Sequence, residues 1–210
     1  MNASLKQIRA AKGVVFAICL LPLGLLVWDA FNAGLGANPI EAITHRTGDW
    51  TLRFLLVTLA VTPLRHFFGW RVLMRFRRMF GLFAFFYACL HFLTYLVLDQ
   101  FFAWEEIVAD VAERPYITVG FASFVLLIPL AVTSTDGMMR RLGGRRWQRL
   151  HRLVYFIGIG GVLHFLWLVK ADTREPLLYG LVLAVLLASR LWIYGKRVPQ
   201  RSARAAPRHM

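Results

Sequence analysis

The sequence predicts an all-α fold: an integral membrane bundle of six transmembrane helices, both termini cytoplasmic. Three observations predict it. The 210 residues are 58 % hydrophobic, whereas soluble domains are usually about half apolar or less. Six apolar runs stand out, each near the roughly 20 residues that cross a hydrocarbon core of about 30 Å. The basic residues, finally, collect in alternate links between those runs.

The runs lie at about 13–31, 51–68, 79–101, 117–134, 153–170 and 176–194. Inside lipid each must be a helix, because backbone polar groups have to be satisfied within their own segment. The alternating short strands of a membrane β-barrel are absent. The first run follows Lys6, Arg9 and Lys12 and could pass for a secretory signal. Asn32-Ala33-Gly34 makes a poor cleavage site, however, and the first helix is expected to be retained. Pro22, Pro63 and Pro129 fall in or near the spans, where membrane helices tolerate proline. Cys19 and Cys89 sit inside apolar runs without metal-type spacing and read as inert, buried thiols. No internal repeat is visible. Residues 1–195 form one membrane domain, and 196–210, rich in Arg, Ala and Pro, read as a disordered basic cytoplasmic tail. His209, in that tail, receives no role.

Charge orients the bundle. One set of links holds Lys6, Arg9 and Lys12; Arg65, Arg71, Arg75, Arg77 and Arg78; Arg140, Arg141, Arg145, Arg146, Arg149 and Arg152; and Lys196, Arg197, Arg201, Arg204 and Arg208. These are 19 of the 25 basic residues, with Asp136 the only acid among them. The remaining acids, among them Asp29, Asp49, Glu105, Glu106, Asp110 and Glu175, occupy the other links. By the positive-inside rule the basic side is cytoplasmic. The formal charge of +14 is therefore a topology signal, and it gives no ground for nucleic-acid binding.

Two of six histidines lie deep in apolar runs: His91 in Leu90-His91-Phe92 and His164 in Leu163-His164-Phe165. Their helices both run outward from the basic side, His91 starting 13 residues after Arg78 and His164 12 after Arg152. At about 1.5 Å per residue the offsets are roughly 20 and 18 Å, so the two rings can share a depth. Two imidazoles at one depth can ligate haem iron from opposite faces, and a b-type haem needs no Cys-x-x-Cys-His anchor. Hydrogen-bonded packing or a proton relay are the competing readings. Gly158, Gly160 and Gly161 could open space for a flat macrocycle, or serve close helix packing. His151 precedes His164 by 13 residues, which on a straight helix turns it roughly 220° away. His45 and His66 are expected to be solvated.

A series of segments completes the reading: Thr47-Gly48, Leu59–Leu64 (LAVTPL), Arg75–Leu82 (RFRRMFGL), Leu90-His91, Arg114–Gly120 (RPYITVG), Thr133-Ser134, Leu142–His151 (LGGRRWQRLH) and His164–Trp167 (HFLW). In this order the chain resembles the MsrQ (YedZ) family. That family comprises haem-binding membrane subunits of the periplasmic methionine-sulfoxide reductase system, within the ferric-reductase-like transmembrane group. The resemblance spans nearly all of the chain except its ends. It implies that residues 1–195 are a ferric-reductase-like haem-binding domain in the bacterial inner membrane. It also implies b-type haem and flavin mononucleotide (FMN). The partner would be a periplasmic molybdenum-containing reductase that repairs protein methionine sulfoxide, bound as a heterodimer. The electron donor would be quinol or a cytoplasmic flavin reductase. His91 and His164 carry over as iron ligands and His151 as a further haem-associated histidine. The chain departs from the wider group at Arg77 and Arg78, where a second, inner haem would want a histidine. Arginines there suit a flavin phosphate, or only anionic lipid headgroups.

Two other functions compete. A stand-alone ferric or metal reductase would be expected to carry a fused flavin and nicotinamide domain, and the chain ends about 16 residues after its last helix, too soon for a Rossmann unit. A proton-coupled transporter would use the same histidines as relays and hold no coloured cofactor. The expectation is an electron-transfer subunit, with no catalytic residue assigned.

Overall fold

The computed structural model describes residues 5–196, and every regular element among them is helical. In chain order the α-helices are α1 (Leu5–Phe31), α2 (Pro39–Phe68), α3 (Arg77–Leu93), α4 (Trp104–Glu113), α5 (Pro115–Val132), α6 (Asp136–Leu142), α7 (Gly144–Leu150), α8 (Leu153–Leu168) and α9 (Arg174–Gly195). Six stretches are long and apolar enough to cross a membrane: α1, α2, α3 with its continuation to Asp99, α5, α7 with α8, and α9. Of the expected tail only Lys196 is described, its ammonium 3.8 Å from the centre of the Trp192 ring; residues 197–210, His209 included, lie outside the described residues.

Element boundaries differ from the apolar runs where polar residues are built into helix. α2 begins at Pro39 rather than near 51, because its first turns carry Glu41, His45, Arg46 and Asp49, which no hydropathy reading absorbs. Asn38 caps it by accepting from the Glu41 N–H at 3.3 Å, and Pro39 stands where a missing N–H is harmless. The charges are answered locally. Arg46 pairs with Asp29, and Arg53 reaches Asp49 at 3.4 Å and donates to the Tyr179 hydroxyl at 2.8 Å. α4 lies in a link with no apolar run. Trp104, Ile107, Val108, Val111 and Ala112 share one face of it, while Glu105 and Glu106 favour its N-terminus. Past α3 the helix widens over Thr94–Asp99, and Phe101 and Phe102 reverse the chain at φ 47° and 62°.

Two of the three prolines within spans create repairs between helices. Around Pro22 the Tyr87 hydroxyl inserts into the α1 ladder, donating to Cys19 O at 2.9 Å and accepting from Leu23 N–H at 3.2 Å. Pro63 has no N–H for the carbonyl of Leu59, four residues earlier. The Arg190 guanidinium of α9 donates to that oxygen at 2.7 Å. In lipid an unpaired carbonyl is costly, so such repairs decide which helices become neighbours. The core runs along α2 and α3, where Phe54 stacks on Tyr87 and Phe83 at 5.4 and 5.6 Å. Phe156, Leu181 and Leu191 are left exposed, as a lipid-facing surface allows. Cys19 is buried and Cys89 half-buried, and neither forms a disulfide.

Candidate functional site

α3 and α8 bring His91 and His164 together, with ring centres 6.0 Å apart and planes near perpendicular. Both rings stand in the wall of a cavity of about 900 Å³, whose sides are apolar and which holds Asp49, Asp99, Asp172 and Glu175 toward the acid-rich end. Apolar walls with few polar groups are the usual make-up of a cofactor site.

Each ring is held by the same device. His91 Nδ1 bonds to the carbonyl of Thr44 on α2 at 2.9 Å, and His164 Nδ1 to that of Tyr116 on α5 at 2.7 Å. A carbonyl only accepts, so both Nδ1 atoms carry the proton and both Nε2 atoms keep a free lone pair. Four residues past each carbonyl, on the same helix face, stands a glycine. A Cβ on Gly48 would lie 3.1 Å from the His91 ring, and one on Gly120 2.6 Å from that of His164. The paired segments are 47 and 48 residues apart in sequence, a repeated device that the sequence did not reveal.

This arrangement fits a haem. An imidazole nitrogen binds metal at about 2 Å and lies about 1 Å from its ring centre, so two rings on opposite faces of one ion stand roughly 6 Å apart. Backbone carbonyls that fix the tautomer are the usual outer support of metal-bound histidine. Among the described residues no cluster of three or more His, Cys, Asp or Glu could hold a bare ion. Two imidazoles instead suit an ion whose remaining ligands come from a macrocycle.

Of the three glycines expected to make room, only Gly161 lines the cavity. Gly158 packs against Leu183 and Leu59, and Gly160 against Ser123 and Val119 of α5, which is helix packing. The glycines that seat the histidines, Gly48 and Gly120, were visible only as parts of the segments Thr47-Gly48 and RPYITVG. His45, expected to be solvated, is exposed but also lines the cavity; His66 is exposed beside Phe67 and Trp192.

The arginine-rich end is separate. His151 occupies the break between α7 and α8, so the straight helix assumed for its direction does not exist. Its Nε2 meets Thr133 Oγ1 at 3.1 Å, and its ring stacks on Trp147 at 3.8 Å. Arg77 is half-buried and close enough to His151 to act on it electrostatically. Arg78 is exposed and paired with Asp136.

Residues 47–162 match the model of a family described as "Ferric reductase like transmembrane component". Proteins named "Protein-methionine-sulfoxide reductase heme-binding subunit MsrQ" are similar over almost the whole chain. That of Herminiimonas arsenicoxydans is 56 % identical over 194 residues, covering 91 % of this chain and 89 % of its own. That of Rhodospirillum rubrum is 56 % identical over 200 residues, covering 94 % of each. The Xanthomonas euvesicatoria protein is 55 % identical over 192, covering 89 % of this chain and 88 % of its own. With the paired histidines seated inside the matched helices or just past their end, the chain belongs to the ferric-reductase-like transmembrane family and, within it, to the MsrQ family.

Proposed function

We propose that the chain is the haem-binding membrane subunit of a methionine-sulfoxide reductase system, and that it carries electrons across the bacterial inner membrane to a periplasmic reductase. The observation that carries this reading is the His91–His164 pair, 6.0 Å apart with both Nδ1 atoms tied to backbone carbonyls. The names of the relatives support the haem and the reductase system.

When bound, b-type haem supplies one-electron carriage. His91 and His164 would hold the haem iron through Nε2, while the carbonyls of Thr44 and Tyr116 fix their tautomer and direction. The apolar walls keep water from the site and help tune its potential. The cavity reaches toward the acid-rich end, and the positive-inside rule makes that end periplasmic and both termini cytoplasmic. Electrons accordingly arrive from quinol or a cytoplasmic flavin reductase and leave toward a molybdenum-containing partner in a heterodimer. FMN is assigned to the arginine-rich end, with its phosphate on arginine. Arg77 is the better placed, since Arg78 already holds Asp136, and His151, near Arg77 electrostatically, is assigned to the same end.

His91→Ala and His164→Ala test the reading. Each should insert in the membrane and lose most of the bound haem, measured as pyridine haemochrome per protein. Wild-type haem content with an unchanged low-spin spectrum in either variant would refute the pair as ligands. For orientation, a fluorescent protein fused after Arg208 should be bright and alkaline phosphatase inactive; the reverse pattern would overturn the direction of electron flow.

A further inference from the structure

Arg190 is a buried ionic side chain that forms no ion pair among the described residues. It is only 4 % exposed. Its Nη1 donates to the Tyr155 hydroxyl at 2.8 Å and its Nη2 to Leu59 O at 2.7 Å, while Nε is buried and unpartnered. Arg77 lies close enough to act on Arg190 electrostatically, and so do Tyr155, Tyr194 and Arg65 on Arg77. Two guanidinium groups thus repel one another, and Asp136, the only acid within the arginine-rich links, is engaged by Arg78.

Repairing the carbonyl freed by Pro63 explains one N–H of Arg190, and a neutral donor could do the same. It explains neither the charge nor the unpartnered Nε. A buried cation is costly unless an anion answers it, and among the described residues no carboxylate is paired with Arg190. We propose that Arg190 and Arg77 together hold the phosphate group of a ligand at the arginine-rich end of the bundle, with the Tyr155 hydroxyl fixing the guanidinium of Arg190. Guanidinium groups suit this task because they are always charged and donate in a planar fork. A flavin phosphate and a phospholipid headgroup share this chemistry. The proposal rests on the reading of this end as a phosphate site and names the residue that anchors it.

The test uses full-length protein in nanodiscs of phosphatidylcholine, with or without phosphatidylglycerol. For wild type, Arg190→Gln, Arg190→Lys and Arg77→Gln, FMN affinity is titrated by fluorescence and co-purifying phosphatidylglycerol counted by native mass spectrometry. Haem absorbance and helical circular dichroism are recorded alongside. Losing a charge-assisted phosphate contact should weaken retention about tenfold or more. Arg190→Gln and Arg77→Gln should both show that loss with haem unchanged, and Arg190→Lys should recover part of it. Loss confined to FMN identifies a flavin phosphate. Loss confined to phosphatidylglycerol upholds the phosphate site and removes the flavin from it. If Arg190→Gln fails to fold, Arg77→Gln decides. Unchanged retention of both ligands in the folded variants overturns the proposal. A failure of haem ligation would show separately, in the haem absorbance of the histidine variants.

Discussion

The two ends of the bundle solve opposite problems. Toward the acid-rich end, two imidazoles are tied to backbone carbonyls through Nδ1, keep Nε2 lone pairs free and line a cavity. At the arginine-rich end, Arg190 keeps a buried, unpartnered Nε with Arg77 near it electrostatically, and among the described residues neither is paired with an acid. One end offers electron pairs and suits a metal; the other offers protons and charge and suits an anion. The difference teaches that ligand class can be read from what the protein leaves unsatisfied. Guanidinium groups have no lone pair to give, so Arg77 and Arg190 cannot do what His91 and His164 do, whatever the shape around them.

The sharpest way to break this comparison is to crowd a histidine seat. Gly120→Ala would bring a Cβ to 2.6 Å from the His164 ring, and Gly48→Ala would bring one only to 3.1 Å from that of His91. Gly120→Ala should lose most of the haem and Gly48→Ala a smaller part, measured as haemochrome per protein. Equal retention in both would show that the rings are not held by these helices.

A change at the other end should leave haem in place. His151→Ala, removing the bond to Thr133 and the stack on Trp147, should slow reduction of the haem from the cytoplasmic side more than it lowers haem content. Stopped-flow reduction with a flavin reductase as donor measures the first and absorbance the second. If one of two haems per chain vanished instead, His151 would be an iron ligand and the contrast between the ends would fail.

Tyr87→Phe probes the packing both ends share. It deletes the hydroxyl between Cys19 O and Leu23 N–H, at a cost of about 1–2 kcal/mol. The thermal midpoint should fall, with haem per folded protein unchanged.

The smallest effect concerns pH. Arg78 accounts for the depressed pKa of the exposed Asp136 carboxyl, by hydrogen bond and charge. A carboxyl depressed on folding adds stability above its unfolded pKa, about 4, and that contribution is lost as pH falls through the folded value. Asp136→Asn should slightly flatten the acid limb of the stability profile and leave the neutral region almost unaltered, since exposed pairs contribute little. Thermal midpoints across acid pH would show it.

Hydropathy, charge asymmetry and two deep histidines were enough to call six spans and to bring His91 and His164 to one depth, because these depend on local composition and helical rise. What they concealed is equally physical. The polar turns of α2 from Pro39 onward are stabilised by Asp29 and Tyr179 from other segments, and composition does not show such partners. α4 went unread, because a ten-residue helix carrying Glu105, Glu106, Asp110 and Glu113 is too short and acidic to register as a span. For Gly158 and Gly160 the sequence left two readings open, space for a macrocycle or close helix packing, and their neighbours show packing.

By itself the sequence determined the number of spans, the sidedness of charge and the chemistry available at each end, since these follow from which residues must avoid lipid and which cannot. Only the tertiary structure decided that the carbonyls of Thr44 and Tyr116 hold the histidines and that Gly48 and Gly120 make way for them. It also decided that Arg190 reaches the carbonyl left open by Pro63. These are contacts between helices distant in sequence, and they depend on which faces pack together, a choice made by the whole bundle at once.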